Sequence, residues 1–383
     1  MPAHPRKICF VTGTRAEFGL MQTVLEAVRA HPRLQLQIVA TGMHLDRRHG
    51  RSIDLIRRDG WKVDATVDWP PAPRGKPVGV AKSTGVAITG ISQAIDRLGS
   101  DVVMVVGDRV EAFAAASTAH ICGRVVAHVH GGDRALGQID DSLRHAITKL
   151  AHVHFAATRQ SAARIRKLGE DAWRIVVSGS PGIDGIVEAA ASYEQLLLHF
   201  PDLRQRAFAL LVLHPTEADD AAERQRAQQT LRAVQQAGVE RVCIVYPNND
   251  PGSRGIIEAW EAVRDERVII RKTVPRELFL GLMREAAVMV GNSSSGIIEA
   301  ASFGTPVIDI GPRQLGRQRS GNVRHVEDVS QVRDAVAAVW RGGRPLRWRG
   351  HNVYGGGGAG KIIAEHLADL TIDDRLLRKI IAY

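Results

Sequence analysis

A chain of 383 residues is long enough for two domains, each with its own hydrophobic core. Hydrophobic residues make up 44% of it and charged residues 24%, a balance that excludes disorder over most of the length. The net charge of +10 favours anionic partners, but the scarcity of aromatic residues, 5%, argues against a nucleic-acid-binding protein.

No apolar run reaches the roughly 18–20 residues of a membrane helix, and the first residues lead into a strand-like run without signal-peptide features. We therefore expect a cytoplasmic protein without a membrane partner. The cysteines, Cys9, Cys122 and Cys243, lie in apolar contexts without CxxC spacing. They are predicted to be buried reduced thiols, forming neither a disulfide framework nor a zinc site.

Short apolar runs alternate with glycine-bearing turns and amphipathic stretches, the pattern of a parallel sheet covered by helices. In the first half, the predicted strands are Lys7–Thr12, Leu34–Ala40, Asp101–Val106 and Val125–Val129. Helices are predicted from about Phe18 to Ala30 and from Arg109 to His120.

The second half repeats this pattern after a helical segment near Tyr193–Phe200 and includes a polar helix over about Ala221–Ala237. Its predicted strands are Ala209–Leu213, Val242–Tyr246, Val268–Arg271, Val288–Val290 and Val307–Ile310. We therefore predict an α/β chain of two doubly wound domains, 1–185 and 186–358, with a helix in 359–383 packing back across the hinge. Because such sheets bind ligands at the carboxyl ends of their strands, the cleft between the domains is the predicted site.

Two polar motifs follow predicted strands of the first half. In Gly13–Gly19, free backbone N–H groups at a helix start and the Arg15 guanidinium favour an anion, although an ordinary turn with a solvated arginine fits as well. This motif contains neither GxxxxGK[ST] nor GxGxxG, so a P-loop and an NAD fingerprint are not supported. Asp108 and Arg109 suggest a positioned acid or base, or a polar clamp; a helix N-cap with a surface arginine is the alternative.

Residues 128–145 form the densest polar cluster. His128 and His130 are predicted to share one face of a strand, and the paired glycines that follow would let a ligand approach the backbone. Asp140 or Asp141 is predicted to cap the next helix. Histidine clusters can bind metal, but no third ligand stands at a typical spacing, so no metal site is predicted.

A serine-rich turn in Gly291–Ala300 ends a predicted strand and opens a helix. Its N–H groups and hydroxyls predict a phosphate-binding turn, more than a helix start with several caps. Glu299, about one turn into that helix, is a candidate acceptor for ribose hydroxyls. His214 follows the strand Ala209–Leu213 and is either a diphosphate contact or a plain loop histidine.

Taken in order, these motifs resemble the hydrolysing UDP-N-acetylglucosamine 2-epimerases of sialic- and legionaminic-type sugar synthesis. The matching segments are Thr12–Leu20, Thr41–Leu45, Val106–Arg109, His128–His152, Ser178–Asp184, Gly291–Glu299, Gly304–Val307 and Gly311–Gln314. The resemblance implies a GT-B-like fold of two Rossmann-like domains with the nucleotide between them, and no cofactor.

The resemblance also implies roles for individual residues. The residues expected to bind UDP are Arg15, His214, Asn248, Ser294, Ser295, Glu299 and Arg313. The implied reaction removes the C2 proton while UDP leaves C1, and water then adds at C1 as a proton returns to C2 on the other face. The residues expected to carry it are Asp108, Arg109, His130, Asp133, Asp141 and His145.

Two positions qualify this expectation. His130 stands where non-hydrolysing relatives have the glutamate of His-x-Glu-Ala-Gly, and Asp133 stands where hydrolysing relatives usually have glutamate. Proton transfer is therefore assigned to Asp133, His130 or Asp141 without a choice among them. The change also makes a UDP-2,4-diacetamido-trideoxyhexose an alternative substrate to UDP-N-acetylglucosamine.

Three other functions fit the same residues: a GT-B glycosyltransferase, a non-hydrolysing 2-epimerase and a non-catalytic sugar-nucleotide sensor. The family suggests a homodimer or homotetramer that binds a small UDP-sugar.

Overall fold

The computed structural model describes residues 4–46, 51–69, 77–134, 139–248 and 250–382. The chain divides into two compact units. Unit 1 comprises residues 1–184 and 357–383, and unit 2 comprises residues 185–356. The helical segment predicted in 359–383 therefore belongs to unit 1.

Unit 1 contains a seven-stranded parallel sheet in the order β3-β2-β1-β4-β5-β6-β7. Its strands are β1 Arg6–Thr12, β2 Leu34–Thr41, β3 Ala65–Val67, β4 Val102–Val106, β5 Val125–Val129, β6 Val153–Ala156 and β7 Ile175–Val177. The helices among them are α1 Arg15–Ala30, α2 Ile53–Arg58, α3 Pro77–Leu98, α4 Val110–Ile121, α5 Asp140–Leu150 and α6 Arg159–Lys167.

Unit 2 contains a six-stranded parallel sheet in the order β10-β9-β8-β11-β12-β13. Its strands are β8 Phe208–Val212, β9 Arg241–Val245, β10 Val268–Arg271, β11 Val288–Gly291, β12 Val307–Ile310 and β13 Val323–Val326. Its helices are α7 Ile186–Ala189, α8 Tyr193–His199, α9 Asp220–Gln236, α10 Ser253–Glu261, α11 Arg276–Glu285, α12 Ser294–Ile298 and α13 Val332–Trp340.

Two further helices of unit 1 follow, α14 Ala359–Asp369 and α15 Asp374–Leu377. Helix α14 packs on α1, and its first N–H groups are bound by the Asp184 carboxylate, at 3.0 Å from Ala359 N and 2.7 Å from Gly360 N. Gly360 allows the close approach, because a Cβ there would lie 2.6 Å from the Thr23 carbonyl oxygen of α1.

The core of unit 1 lies on both faces of its sheet. In β1, Ile8 and Phe10 join the cluster that includes α1 and α14, while Cys9 and Val11 join the cluster that includes α3 and α4. Since successive strand side chains point to opposite faces, a strand covered on both sides needs a continuous apolar run. The predicted α/β fold is confirmed in both units.

The sequence did not predict β3, β6, β7, β13 or the 22-residue α3. Polar residues interrupt the apolar signal of β6 at His154 and of β13 at Arg324 and His325. The prediction for Cys122 was wrong: Cys9 and Cys243 are buried, but Cys122 is exposed, because α4 ends just before it.

Candidate active site

Helix α5 connects the residues that follow β4 and β5. The Arg144 guanidinium, which is buried, donates to Asp108 Oδ2 through Nη2 and to the His130 carbonyl oxygen through Nη1 at 3.1 Å. Asp108 follows β4 and His130 follows β5, and these two strands are neighbours in the sheet. One arginine therefore fixes the exits of two adjacent strands, where ligands of parallel sheets bind.

The alternation of side chains predicted that His128 and His130 share one face of a strand. This prediction was wrong. Strand β5 ends at Val129, and His130 has a left-handed backbone with φ of 63°. Its Nδ1 lies 2.8 Å from Asp133 Oδ2 and its Nε2 lies 3.0 Å from Ser180 Oγ. His128 instead contacts the Gly107 carbonyl oxygen through Nε2 at 2.8 Å, and burial lowers its pKa to about 3, so it stays neutral.

Both carboxylate oxygens of Asp133 contact neighbouring side chains. Its Oδ2 contacts His130, and its Oδ1 accepts a hydrogen bond of 2.6 Å from Ser161 Oγ. An ionised Asp133 is an acceptor only, so it places the proton of a neutral His130 on Nδ1. The His130 Nε2 is then an acceptor, and the Ser180 hydroxyl donates to it.

The paired glycines, Gly131 and Gly132, were expected to let a ligand approach the backbone, but they lie against other parts of the protein. A Cβ at Gly131 would lie 2.9 Å from His128 Nδ1, and a Cβ at Gly132, where φ is +72°, would lie 2.3 Å from the Ser161 carbonyl oxygen. Both glycines therefore let the loop after β5 pack against the protein itself. Residues 135–138 of this segment lie outside the described part of the chain.

Asp141 and His145 lie one turn apart on α5, with His145 Nε2 3.4 Å from Asp141 Oδ2 and about a third of each side chain exposed. The predicted capping role was wrong, because Ile139 is the N-cap of α5 and makes no side-chain cap. Asp140 and Asp141 lie in the first turn, where a negative charge favours the helix dipole.

The turn after β1 is closed by a capping box. Glu17 Oε2 accepts hydrogen bonds from Gly13 N at 2.9 Å and Thr14 N at 3.0 Å, while Thr14 Oγ1 accepts from Glu17 N at 3.2 Å. The backbone N–H groups that were expected to bind an anion here are therefore partly occupied by Glu17. Arg15 is the first residue of α1 and its side chain is exposed.

Two glutamates with largely buried carboxylates, Glu17 and Glu111, lie beside this turn. Arg109 Nε is 3.3 Å from Glu111 Oε2 and 3.9 Å from Glu17 Oε1, an oxygen that is buried without a hydrogen-bond partner. Burial and the neighbouring Glu111 carboxylate raise the pKa of Glu17 to about 7. Arg109 therefore pairs with glutamates, and Arg144 is the partner of Asp108.

In unit 2, Asn292 connects the ends of β8 and β11. Its side chain accepts from His214 N at 2.7 Å and donates to His214 O at 2.9 Å. His214 Nδ1 accepts a hydrogen bond of 3.0 Å from Asn248 N. Burial and the charge of Arg313 lower the pKa of His214 to about 4, so the ring is neutral and carries its proton on Nε2. That N–H is a donor suited to a phosphate oxygen.

Arg313 also contacts Asn292: its guanidinium donates to the Asn292 carbonyl oxygen at 3.4 Å and to Asp250 Oδ2 at 3.3 Å. Ser293 is the N-cap of α12, and its Oγ lies 2.8 Å from Ser295 Oγ. Ser294, the first residue of α12, is partly exposed.

Glu299 was predicted about one turn into the helix, and it lies directly after the last helical residue. Helix α12 ends at Ile298, and Glu299 is its C-cap before a 3-10 turn over Ala300–Phe303. Both carboxylate oxygens of Glu299 lie 3.1 Å from Arg276 Nη1. Burial raises the pKa of Glu299, and Arg276 opposes that change.

Five residues of this arrangement were not among the predicted site residues: Glu17, Glu111, Arg144, Ser161 and Ser180. Glu17 had a signal, since it stands three residues after Thr14 in a capping-box pattern. Ser161 and Ser180 had none, because they meet Asp133 and His130 from 28 and 50 residues away.

Within the described ranges, no group of three or more acidic, histidine or cysteine side chains could hold a metal ion. No helix in the same ranges is long and apolar enough to cross a membrane.

The chain is similar over most of its length to known proteins. The chain is 34% identical over 386 residues to a UDP-N,N'-diacetylbacillosamine 2-epimerase (hydrolyzing) of Legionella pneumophila, covering 99% of this chain and 100% of the relative. It is 32% identical over 332 residues to a UDP-N-acetylglucosamine 2-epimerase of Neisseria meningitidis serogroup B, covering 86% of each.

In three dimensions, the chain resembles the crystal structure of UDP-GlcNAc 2-epimerase from Neisseria meningitidis bound to UDP-GlcNAc. The TM-score is 0.78 at 20% identity, over 94% of this chain and 99% of the other, so the GT-B-like fold predicted from the sequence is confirmed. Residues 26–368 match the family described as UDP-N-acetylglucosamine 2-epimerase. With nearly the whole chain matched, this protein belongs to the UDP-N-acetylglucosamine 2-epimerase family.

Proposed function

We propose that this protein is a hydrolysing 2-epimerase that converts a UDP-2,4-diacetamido-trideoxyhexose to UDP and the free 2-epimerised sugar, with UDP-N-acetylglucosamine as the alternative substrate. The observation that carries the proposal is the network from Asp108 through Arg144 to His130 and Asp133 at the ends of β4 and β5. The hydrolysing Legionella relative, which matches the full length, supports it.

The first half of the reaction is an elimination. A base takes the proton from C2, the bond between C1 and the diphosphate oxygen breaks, and UDP leaves a 2-acetamidoglycal. We assign that proton to His130 Nε2, directly or through the Ser180 hydroxyl that lies 3.0 Å from it, because Asp133 holds the ring proton on Nδ1. In this proposal Asp133 orients His130, and His130 is the proton acceptor among the three candidates Asp133, His130 and Asp141.

The second half is a hydration. Water adds its oxygen at C1, its proton goes to a base, and C2 receives a proton on the face opposite to the one it lost. Asp108 is the second proton-transfer group, with Arg144 holding its carboxylate in place. Asp141 and His145 lie 3.4 Å apart on α5, are partly exposed, and are included in the proposed mechanism as further polar groups near the substrate.

The leaving group is bound by unit 2. The His214 Nε2–H, the Arg313 guanidinium and the hydroxyls of Ser294 and Ser295 stabilise the charge that develops on the diphosphate. Asn248 orients His214, and Glu299 accepts from the ribose hydroxyls. The protein acts in the cytoplasm as a homo-oligomer.

A proton NMR time course in deuterated water tests the proposal, with UDP-N,N'-diacetylbacillosamine and UDP-N-acetylglucosamine as parallel substrates. We expect UDP release and a free 2-epimeric sugar with deuterium at C2. A 2-epimeric UDP-sugar with little free UDP would identify a non-hydrolysing epimerase. UDP binding without exchange at C2 for either substrate would indicate a transferase or a sensor.

A further inference from the structure

Residues 373–382 follow α14 along unit 1, and buried polar groups hold them there. The buried Arg174 guanidinium donates to Leu376 O at 2.8 Å and to Arg375 O at 2.7 Å. Further on, Ala382 N donates to Gly169 O at 2.9 Å. These contacts are made from α15 to the end of the segment, so its path against unit 1 is defined.

Within this segment, Lys379 lies at the carboxyl end of α5. Its Nζ donates to Lys149 O at 2.7 Å and to Ala151 O at 2.6 Å, and it lies 3.4 Å from Thr148 O. The last carbonyl groups of a helix have no partners within the helix, and a cation there opposes the negative end of the dipole. Lys379 therefore caps α5 from about 230 residues away in the chain.

Glu170 holds Lys379 in that position. Its buried carboxylate lies 2.7 Å from Lys379 Nζ, 2.6 Å from Lys149 Nζ and 3.2 Å from His154 Nε2. Burial opposes its ionisation, but these hydrogen bonds outweigh burial and hold the pKa of Glu170 at about 2. Burial also lowers the pKa of Lys379 to about 8, so the ammonium group persists at neutral pH.

The capped helix is the one that carries Arg144. Thr148 Oγ1 donates to Arg144 O at 3.0 Å and lies 3.5 Å from His128 Nδ1, and His128 contacts the carbonyl oxygen of Gly107, the residue before Asp108. The capped carbonyl groups begin one turn after Arg144 in a helix of 11 residues. A shift of the carboxyl end of α5 therefore moves Arg144 relative to Asp108.

We propose that Lys379 is a positioning residue: by capping α5, it holds Arg144 against Asp108 and the loop of His130. Nothing in the proposed reaction uses Lys379 or Glu170, and neither lies among the residues expected to bind the substrate. The catalytic consequence of this inference rests on the proposed function, whereas the structural consequence for α5 does not.

The test compares Lys379→Met, which keeps the apolar stem and removes the three donors, with Lys361→Met as control. Lys361 lies on α14, and its exposed side chain is 3.8 Å from Glu365. We expect Lys379→Met to speed amide hydrogen exchange in residues 140–151 roughly tenfold and to lower kcat by a similar factor, with the Kd for UDP unchanged. The control should match the wild type in all three measurements.

Rescue separates the ammonium group from general damage to the fold. Lys379→Cys in a Cys122→Ser background, treated with bromoethylamine, regains an ammonium group at the length of lysine, and the two remaining cysteines are buried. We expect the treatment to restore both slow exchange and kcat. If Lys379→Met does not fold, Lys379→Gln replaces it in the same measurements. Glutamine removes the charge but keeps two N–H donors.

The inference would be overturned if amide hydrogen exchange in residues 140–151 of Lys379→Met were as slow as in the wild type. It would also be overturned if exchange there were faster while kcat stayed unchanged. If the wild-type protein turns over neither sugar nucleotide, the proposed function fails. The exchange data then decide by themselves whether Lys379 holds α5.

Discussion

His130 combines an unusual backbone with two side-chain hydrogen bonds. A non-glycine residue at φ of 63° is held there at a cost of order 1–3 kcal/mol, and such residues cluster at functional sites. Asp133 and Ser180 engage the two ring nitrogens, so the imidazole has one orientation and one preferred tautomer. A ring fixed in this way directs Nε2 at the Ser180 hydroxyl, so a proton that arrives through Ser180 needs no reorientation of the imidazole.

Asp108→Asn should lower turnover about 100-fold or more, because an amide cannot exchange a proton at this position. The amide oxygen can still accept from Arg144, so the fold and the Kd for UDP should persist. Steady-state rates of UDP release and calorimetric titration with UDP measure the two effects. Asp96→Asn, on the exposed side of α3, serves as the control. Full activity of Asp108→Asn would remove Asp108 from the mechanism.

The buried Glu17 predicts a pH dependence of stability. Its pKa of about 7 in the folded protein exceeds its ordinary value of 4.5, so between these values the folded state binds more protons than the unfolded state. Stability contributed by this group is complete below pH 4.5 and is lost as pH rises to 7, a loss of about 3 kcal/mol.

Glu17→Gln should remove this loss, because a neutral amide keeps an acceptor for Gly13 N and Thr14 N without a charge. Urea unfolding at a series of pH values between 4.5 and 8 measures the difference from the wild type. Glu26→Gln, exposed on the same helix, should keep the wild-type slope. An unchanged slope in Glu17→Gln would mean that Glu17 is ionised across the range.

At the scale of elements, the loop after β5 depends on glycine. Gly132→Ala should destabilise the protein by about 2 kcal/mol more than Gly123→Ala. Both residues have left-handed backbones, with φ of 72° and 65°, which costs alanine about 1–2 kcal/mol in each case. Only Gly132 has a close neighbour, since its Cβ would lie 2.3 Å from Ser161 O, and relief of that contact costs about 1–3 kcal/mol more. Chemical denaturation of the two variants measures the difference, and equal losses would contradict the packing role.

The turn that opens α12 carries a prediction about UDP. Replacing Ser294 and Ser295 by alanine should weaken UDP binding roughly tenfold for each hydroxyl, as expected for hydrogen bonds to a charged group. Ser330→Ala, an exposed serine of the same unit, is the control. Titration calorimetry at constant salt measures the Kd values, and an unchanged Kd would refute the phosphate-binding turn.

The elements also show where sequence patterns succeed. Strands β4 and β5 were predicted within one residue, because buried parallel strands read as unbroken apolar runs. Strand β6 was missed, because His154 interrupts its run and is compensated by Glu170, 16 residues away. Intrinsic preference is a weak signal where a distant partner satisfies a polar group.

At the scale of the molecule, UDP should stabilise unit 2 by mass action. At 100 times its Kd, UDP raises the free energy of unfolding by about 2.7 kcal/mol, which corresponds to about 5–10 °C in Tm for a unit of this size. Uridine, without the diphosphate, should stabilise far less, because His214, Arg313 and the serines are proposed to bind phosphate. Differential scanning calorimetry measures both shifts, and equal shifts would place the binding energy in the nucleoside.

Local periodicity in the sequence is enough to predict the α/β class, the strands with continuous apolar runs and the position of each polar motif at a strand end. The tertiary structure alone decided how those motifs are used. In the folded protein, His130 lies beyond the end of β5 and contacts Ser180, and both oxygens of Asp133 accept hydrogen bonds. Arg144 pairs with Asp108, and Lys379 donates to carbonyl groups at the carboxyl end of α5. The reason is that hydrogen bonds between residues far apart in the chain depend on which strands are neighbours in the folded sheet and where each strand ends. Local periodicity does not carry that information.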